Sequence, residues 1–216
     1  MRSRFFVWAV LGWAFIAHAE DVLPAAEGKP FPTLESVMAG LAESPGTQAR
    51  FIERRRVPLL EETLETRGRM ALDPPDRFSR ITEAPEQTRL VLDSGELRFE
   101  HEKRASEDPM LAELGRRFAE ELLLLLSGDL STIRDRYEID FSSEGTAWQL
   151  NLTPRSAKAR RYVERLFLRG EGELITSLEL READGGGAIS RFSEVRVDRQ
   201  LTPEELSIFF GRTPRP

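Results

Sequence analysis

The chain contains no cysteine, so neither a disulfide framework nor a thiol nucleophile is open to it. Histidine is nearly absent too: of two, His18 lies in the N-terminal apolar segment and only His101 remains downstream. A lone imidazole cannot build a histidine-based metal site, and scattered carboxylates add no ligand spacing. No serine sits in a Gly-x-Ser-x-Gly elbow that would give His101 a hydrolase partner, so His101 reads as a polar residue at a strand end. The adjacent carboxylates Glu61-Glu62, Glu120-Glu121 and Glu204-Glu205 read as solvated surface, because a glycosidase pair must face across a cleft. No enzyme activity, metal or cofactor is therefore expected. The chain also lacks an apolar run of the roughly 20 residues that a comfortable membrane span takes. The formal net charge of −6 argues against nucleic acid as a partner and against retention on an anionic membrane surface.

What is present begins with a targeting segment. Arg2 and Arg4 precede Phe5 to Ala17, an uncharged apolar stretch of 13 residues, and Ala17-His18-Ala19 has the small-x-small pattern of a cleavage site. Residues 1–19 read as a signal peptide cleaved after Ala19; an uncleaved anchor is the other reading. Cleavage leaves 197 residues and takes the formal charge from −6 to −8 by removing Arg2 and Arg4. No cysteine follows the signal for lipid attachment, so the exported protein reads as soluble. Residues 20–33, with three prolines, form a flexible leader; 34–210 form one domain, large enough for a core without staples, and 211–216 a tail.

Along the domain, Thr33 caps a short helix over Leu34 to Glu43, ended by Pro45-Gly46. Thr47 to Val57, Leu60 to Asp73, Arg77 to Thr82, Thr88 to Leu92 and Leu97 to His101 then read as strands, with Gly68 as a bulge or close approach and Ser94-Gly95 as a hairpin turn. Pro109 to Gly128 has helical spacing: Met110, Leu111, Leu114, Phe118, Leu122, Leu125 and Leu126 share a face, with Asp108 as cap and Gly128 as stop. Leu122 to Leu126 are five consecutive leucines, more than a surface stripe needs, so this end is expected to be buried on several sides. A helical turn over Leu130 to Arg134 follows. Strands resume with Tyr137 to Ser142 and Trp148 to Thr153, then Val163 to Arg169, Leu174 to Leu180 and Ile189 to Val197, and Pro203 to Phe209 makes a last helical turn. The count is about nine strands.

In the strand segments apolar and charged residues alternate, most clearly from Leu64 to Phe99, which predicts a sheet with one dry and one wet face. The dry face comprises Leu90, Leu92, Leu97, Phe99, Ile139, Phe141, Trp148, Leu150, Leu166, Leu168, Leu174, Leu178 and Leu180. The leucine-rich helix, through Leu114, Phe118 and Leu122, is placed against it. If helix and sheet fit closely the result is an ordinary α+β core; if the sheet curls further, a dry cavity remains that takes acyl chains. Arg54-Arg55-Arg56 reads as the charge that protects an edge strand; the functional reading is contact with an anionic headgroup or partner at a cavity mouth.

The Phe51 strand, Gly68 to Phe78 with Asp73-Pro74-Pro75-Asp76-Arg77-Phe78, Leu92-Asp93-Ser94-Gly95-Glu96-Leu97, Ser127-Gly128-Asp129-Leu130, Trp148 to Pro154 and Phe192-Ser193-Glu194-Val195 stand in an informative order. Together with the signal peptide, this order resembles the periplasmic outer-membrane lipoprotein carrier family, LolA, and its LolA-related branch, over about Leu34 to Phe210. The resemblance implies an α+β fold: an unclosed β-barrel, a strongly bent antiparallel sheet whose concave apolar face is covered by helices. It implies a monomeric periplasmic carrier of acylated cargo (lipoprotein, glycolipid or other lipid) between an inner-membrane donor and an outer-membrane acceptor. A periplasmic interaction or sensor module gripping a protein partner is the alternative. The family's arginine before the proline after the Gly-x-x strand, which helps close the lid, is replaced here by Pro74; Arg69 and Arg77 are the nearest substitutes.

Overall fold

Hairpin-spaced strands of alternating character can only bury their apolar side chains by joining one sheet, and they do. In the computed structural model, which describes residues 32–58, 63–101, 119–197 and 199–211, the strands are β1 (Thr47–Arg56), β2 (Thr63–Asp73), β3 (Arg77–Ala84), β4 (Thr88–Asp93), β5 (Glu96–His101), β6 (Tyr137–Glu144), β7 (Ala147–Pro154), β8 (Val163–Glu171), β9 (Leu174–Glu182) and β10 (Gly187–Arg196). These ten, one more than the sequence count, form a single antiparallel sheet in the order β5-β4-β3-β2-β1-β10-β9-β8-β7-β6. Two five-stranded meanders are thus zipped together where the first strand meets the last, with Phe51 opposite Phe192. The sheet does not close, since β5 and β6 are its two edges. Local turn chemistry sets each hairpin: Ser94 and Gly95 both have positive φ, 54° and 82°, as the two-residue turn with matching twist requires. The expected irregularity at Gly68 is a register shift against β3, and a Cβ on Gly68 would run into the Ile81 carbonyl oxygen.

Because the sheet bends, its two faces differ. The concave face carries Phe51, Met70, Leu72, Phe78, Leu92, Trp148, Leu150, Leu152, Leu166, Leu168 and Leu178, which form one apolar cluster with helix residues. Helix α1 (Leu34–Glu43) is set by a capping box in which the Thr33 hydroxyl accepts from the Ser36 amide at 3.1 Å, and it buries Val37, Met38 and Leu41. The helix α2, described over 119–126, buries Leu122, Leu125 and Leu126 and half-buries Leu123 and Leu124, as the leucine run predicts. Asp108, Leu114 and Phe118, which the sequence assigns to this helix, lie outside the described residues. Helix α3 (Leu130–Arg136) is capped by Asp129 and buries Ile133.

Two expectations are corrected. The Arg54-Arg55-Arg56 run is not on an edge: β1 is central, flanked by β2 and β10. Nor is the outer face wet throughout. Helix α4 (Pro203–Phe210) lays Phe209 and Phe210 on it over Ala71 and Val91, so β2 to β4 are covered on both sides. The apolar runs Met70-Ala71-Leu72 and Leu90-Val91-Leu92 are the sequence mark of strands buried on both faces. The end of α4 is tied down by the Ser79 hydroxyl, which donates to the Phe209 carbonyl at 2.7 Å, and by Arg98, which donates to the Phe210 carbonyl at 3.1 Å.

The start of α4 is held by Glu205, which accepts from Arg199 in two bonds of 2.8 and 2.6 Å and from the Thr202 amide at 2.8 Å. Arg199 above all, then the backbone bond, holds its carboxyl well below the ordinary glutamate range, against the opposing effect of burial. A depressed pKa means that this stabilisation is complete above the unfolded value of about 4.3 and is lost as pH falls below it. We expect α4 amides to lose hydrogen-exchange protection below about pH 4 before the sheet does, and Glu205→Gln to flatten that dependence. Equal acid sensitivity in wild type and Glu205→Gln would count against this anchor.

Candidate functional site

The concave wall brings together most of the residues that alternation assigns to it. Leu92, Leu122, Trp148, Leu150, Leu166, Leu168 and Leu178 are buried in the cluster, and Leu90, Leu97, Ile139, Phe141 and Leu180 pack half-buried around them. Phe99 on edge strand β5 and Leu174 at the β8–β9 turn are instead exposed, at 36% and 38%. The physical reason is position: an edge strand and a hairpin tip have no second neighbour to cover them. Leu114 and Phe118 lie outside the described residues.

Trp148 is seated by its opposite partner. Gly170 faces it across β7 and β8, and a Cβ there would occupy the indole ring's place. The indole N–H donates to the Gly172 carbonyl at 2.9 Å, so the one polar atom of this side chain is satisfied while 97% of it is buried.

Two fastenings of the cover involve α2 and the residues that follow it. Gly128, after α2, has φ 70°, and a Cβ there would strike the Met38 carbonyl and the Ala42 amide of α1, so α1 and α2 touch through backbone. At the other fastening, the Tyr137 hydroxyl of β6 donates to Glu121 of α2 at 2.5 Å, with Arg136 3.6 Å from the same carboxylate. Burial first, then the glutamate, pushes the Tyr137 phenol pKa up, so it stays a donor across the physiological range. The contacts that Leu122, Leu125 and Leu126 make are apolar, and such contact is non-directional and can slide.

Where α1, α2 and the sheet meet there is an apolar cavity. Leu41 of α1 and Leu122 and Leu126 of α2 line it together with Thr47, Ala49, Met70, Leu168, Ile175, Leu178, Phe192 and Val195 of the strands and with Glu173 and Val197. Its volume is ≈30 Å³, room for about two water molecules and not for an acyl chain. Between these lining residues the space is therefore close to filled. Of the residues assigned from sequence, Leu122, Leu168 and Leu178 reach this cavity; Ala49, Met70, Leu126, Phe192 and Val195 were missed or placed only by strand or helix face. The alternation of β1 and β10 placed Ala49 and Phe192 on the same face as Phe51, which was the available signal.

One end of the concave wall is polar. Arg80 lies over the Phe51 ring, 3.8 Å from its centroid, and pairs with Glu53 at 3.2 Å; Ser190 donates to the same carboxylate at 2.8 Å. Burial lowers the Arg80 pKa, and the Glu53 charge opposes this. Arg55 pairs with Glu182 alongside. Neither proposed substitute for the arginine missing at Pro74 faces this side: Arg69 pairs with Glu83 on the outer face at 2.6 Å, and Arg77 lies under Phe210 between Asp73 and Asp93. Arg80, like Arg55, is an arginine that the fold turns inward. Among the described residues no group of three or more His, Cys, Asp or Glu side chains is placed to hold a metal, and none of their helices is long and apolar enough to cross a membrane.

Residues 32–191 match the family model described as outer membrane lipoprotein carrier protein LolA-like. An outer-membrane lipoprotein carrier protein of Pseudomonas syringae pv. tomato is 26% identical over 187 residues, 86% of this chain and 87% of that protein. That of Pseudomonas syringae pv. syringae is 26% identical over 142 residues, 66% and 67% of the two chains. Among solved structures, a chain of the Pseudomonas aeruginosa MucA/MucB complex superposes with a TM-score of 0.50 at 14% identity, over 80% of this chain and 60% of that one. MucB solved by itself gives 0.50 at 15% identity, over 80% and 62%. The chain thus spans about three fifths of the MucB chains it matches, and that likeness is one of fold.

Proposed function

The chain belongs to the LolA-like family of outer membrane lipoprotein carrier proteins, and on that premise we propose that it is a non-enzymatic periplasmic carrier of acyl chains. The observation that carries the reading is an apolar concave wall closed by separate helices over a small cavity at their junction. In the empty protein α1 and α2 fill the space themselves. Loading displaces α2 from the sheet, and the acyl chain replaces leucine contacts with equivalent ones. Each methylene kept from water is worth about 0.8 kcal/mol, so a chain of about a dozen carries on the order of 10 kcal/mol and does not cross water unaided. Because the cover competes for the same wall, binding is tight yet reversible. An inner-membrane donor and an outer-membrane acceptor complete the cycle, and the signal peptide ending at Ala19 delivers the chain to the compartment between them. Pro74 in place of arginine leaves the cargo open to a glycolipid or other lipid as well as a lipoprotein.

Native mass spectrometry of the purified protein tests this. One bound long-chain lipid per chain is expected, removable by detergent and restored by phospholipid; a protein that stays empty through both steps refutes carriage. A second reading, a module that grips a protein partner, is favoured by the MucB likeness, since MucB is solved in complex with MucA. Capture of a membrane protein by the lipid-free form would support it.

A further inference from the structure

The outer face of the sheet holds a charge that the net value of −6 conceals. β1 turns Arg50, Arg54 and Arg56 outward, and β2 adds Arg67 and Arg69 beside them. β10 contributes Arg191, and β8 and β9 contribute Arg165, Arg169 and Arg181 around the Phe167 ring. The acidic side chains that the same five strands and the adjoining Glu83 turn outward are fewer: Glu65, Asp73, Glu83, Glu171, Glu179 and Glu194. Arginine is thus in excess on one face of an acidic protein.

The arrangement works against the sheet's own stability. Arg50 stands directly opposite Arg69, and Arg165 opposite Arg181; like charges across a ladder repel. Arg50 and Arg69 share one glutamate, Glu83, at 3.8 and 2.6 Å. Among the described residues Arg56, Arg67 and Arg191 have no ion-pair partner. Amid these cations two isoleucines are exposed, Ile52 at 50%, between Arg67 and Arg191, and Ile189 at 38%, between Arg54 and Glu179.

We propose that this outer face docks on an anionic phospholipid surface. The charges are spread over five strands, roughly 20 Å at about 4.8 Å per strand, with no free strand edge to hold a peptide, and the open groove that Arg69 and Glu83 help to line runs off toward β3, β4 and α4, away from the other arginines. That spread suits a plane of phosphates. Arginine's fork matches phosphate oxygens, and the two aliphatic tips reach the interfacial layer that headgroups leave accessible. The face lies on the side of the sheet opposite α1 and α2, so docking leaves the concave side unobstructed. The inference rests on charge placement alone and stands whether or not the cavity takes acyl chains.

Co-sedimentation of the purified full chain with vesicles tests it. Phosphatidylcholine vesicles containing about a third phosphatidylglycerol are compared with pure phosphatidylcholine, at low salt and at about 0.5 M sodium chloride. Preference for the anionic vesicles at low salt, lost at high salt, is expected. Arg56→Gln, Arg67→Gln and Arg191→Gln together are expected to weaken that preference about 100-fold, near fivefold per arginine. A matching melting temperature shows that the variant is folded, and the wild-type salt dependence needs no variant. Equal partition to both vesicles, absence of binding, or a triple variant that binds like wild type overturns the proposal. Capture of an acidic protein without vesicle binding overturns it as well, in favour of a protein partner.

Discussion

Leu122→Glu is expected to abolish acyl-chain uptake while the sheet remains folded. Leu122 sits on α2, buried, and lines the cavity with Leu41, Leu168 and Leu178. A carboxylate there either stays charged among leucines or is forced to protonate, and both are costly. The cover relieves this by lifting away, which leaves a carboxylate where an acyl chain must pack. The expected loss of affinity for a long-chain phospholipid is at least about 100-fold, from a penalty of about 3 kcal/mol. Leu122→Ala should behave in the opposite sense. It lowers stability by about 2–5 kcal/mol through a larger cavity yet keeps uptake, because the space it opens is apolar. Fluorescent fatty-acid titration with urea unfolding on the same samples separates the two. Equal loss in both variants would mean that α2 is only a packing element.

Phe51→Ala should remove about 3–5 kcal/mol of stability, a large share of the 5–15 kcal/mol such domains have. Phe51 is 1% exposed on β1, the strand that joins the two meanders, between Phe192 on β10 and Gly68 on β2. Its ring is also the floor under the Arg80 guanidinium. Truncation leaves both a cavity and a buried cation whose support is gone. Urea denaturation checks this, and Phe51→Leu, which keeps most of the volume, should lose far less. A loss under about 1 kcal/mol in Phe51→Ala would mean that the β1–β10 seam is not the keystone of the half-barrel.

The hairpins were legible because each is a local event. Ser94-Gly95, Gly145 and Gly172 sit at positive φ between alternating segments, and Thr33 and Thr202 cap their helices with side chains in reach. The concave wall followed from the same alternation, with Phe99 and Leu174 the exceptions at an edge and a tip. The pairing of β1 with β10 was not legible, since about 140 residues separate Phe51 from Phe192 and no short-range pattern marks partners so distant. For that reason Arg54-Arg55-Arg56 was placed on an edge. The cavity was equally hidden. Its existence depends on how Leu126 and Leu41 pack against Ala49 and Phe192, which is settled by volume and not by periodicity. The two-sided burial of β2 to β4 was visible as three-residue apolar runs, but what covers it, Phe209 and Phe210, lies more than a hundred residues on.

Whether acyl chains enter between α2 and the sheet can be read at Trp148. The chain has three tryptophans; Trp8 and Trp13 lie in the expected signal peptide, so a chain beginning at Glu20 has one indole, buried in the concave wall. Titration with a phospholipid brominated along its acyl chain is predicted to quench Trp148 emission saturably, at about one lipid per chain, while iodide in the surrounding water leaves it bright. Lipid that binds without quenching Trp148, or fails to bind at all, would contradict the carrier account.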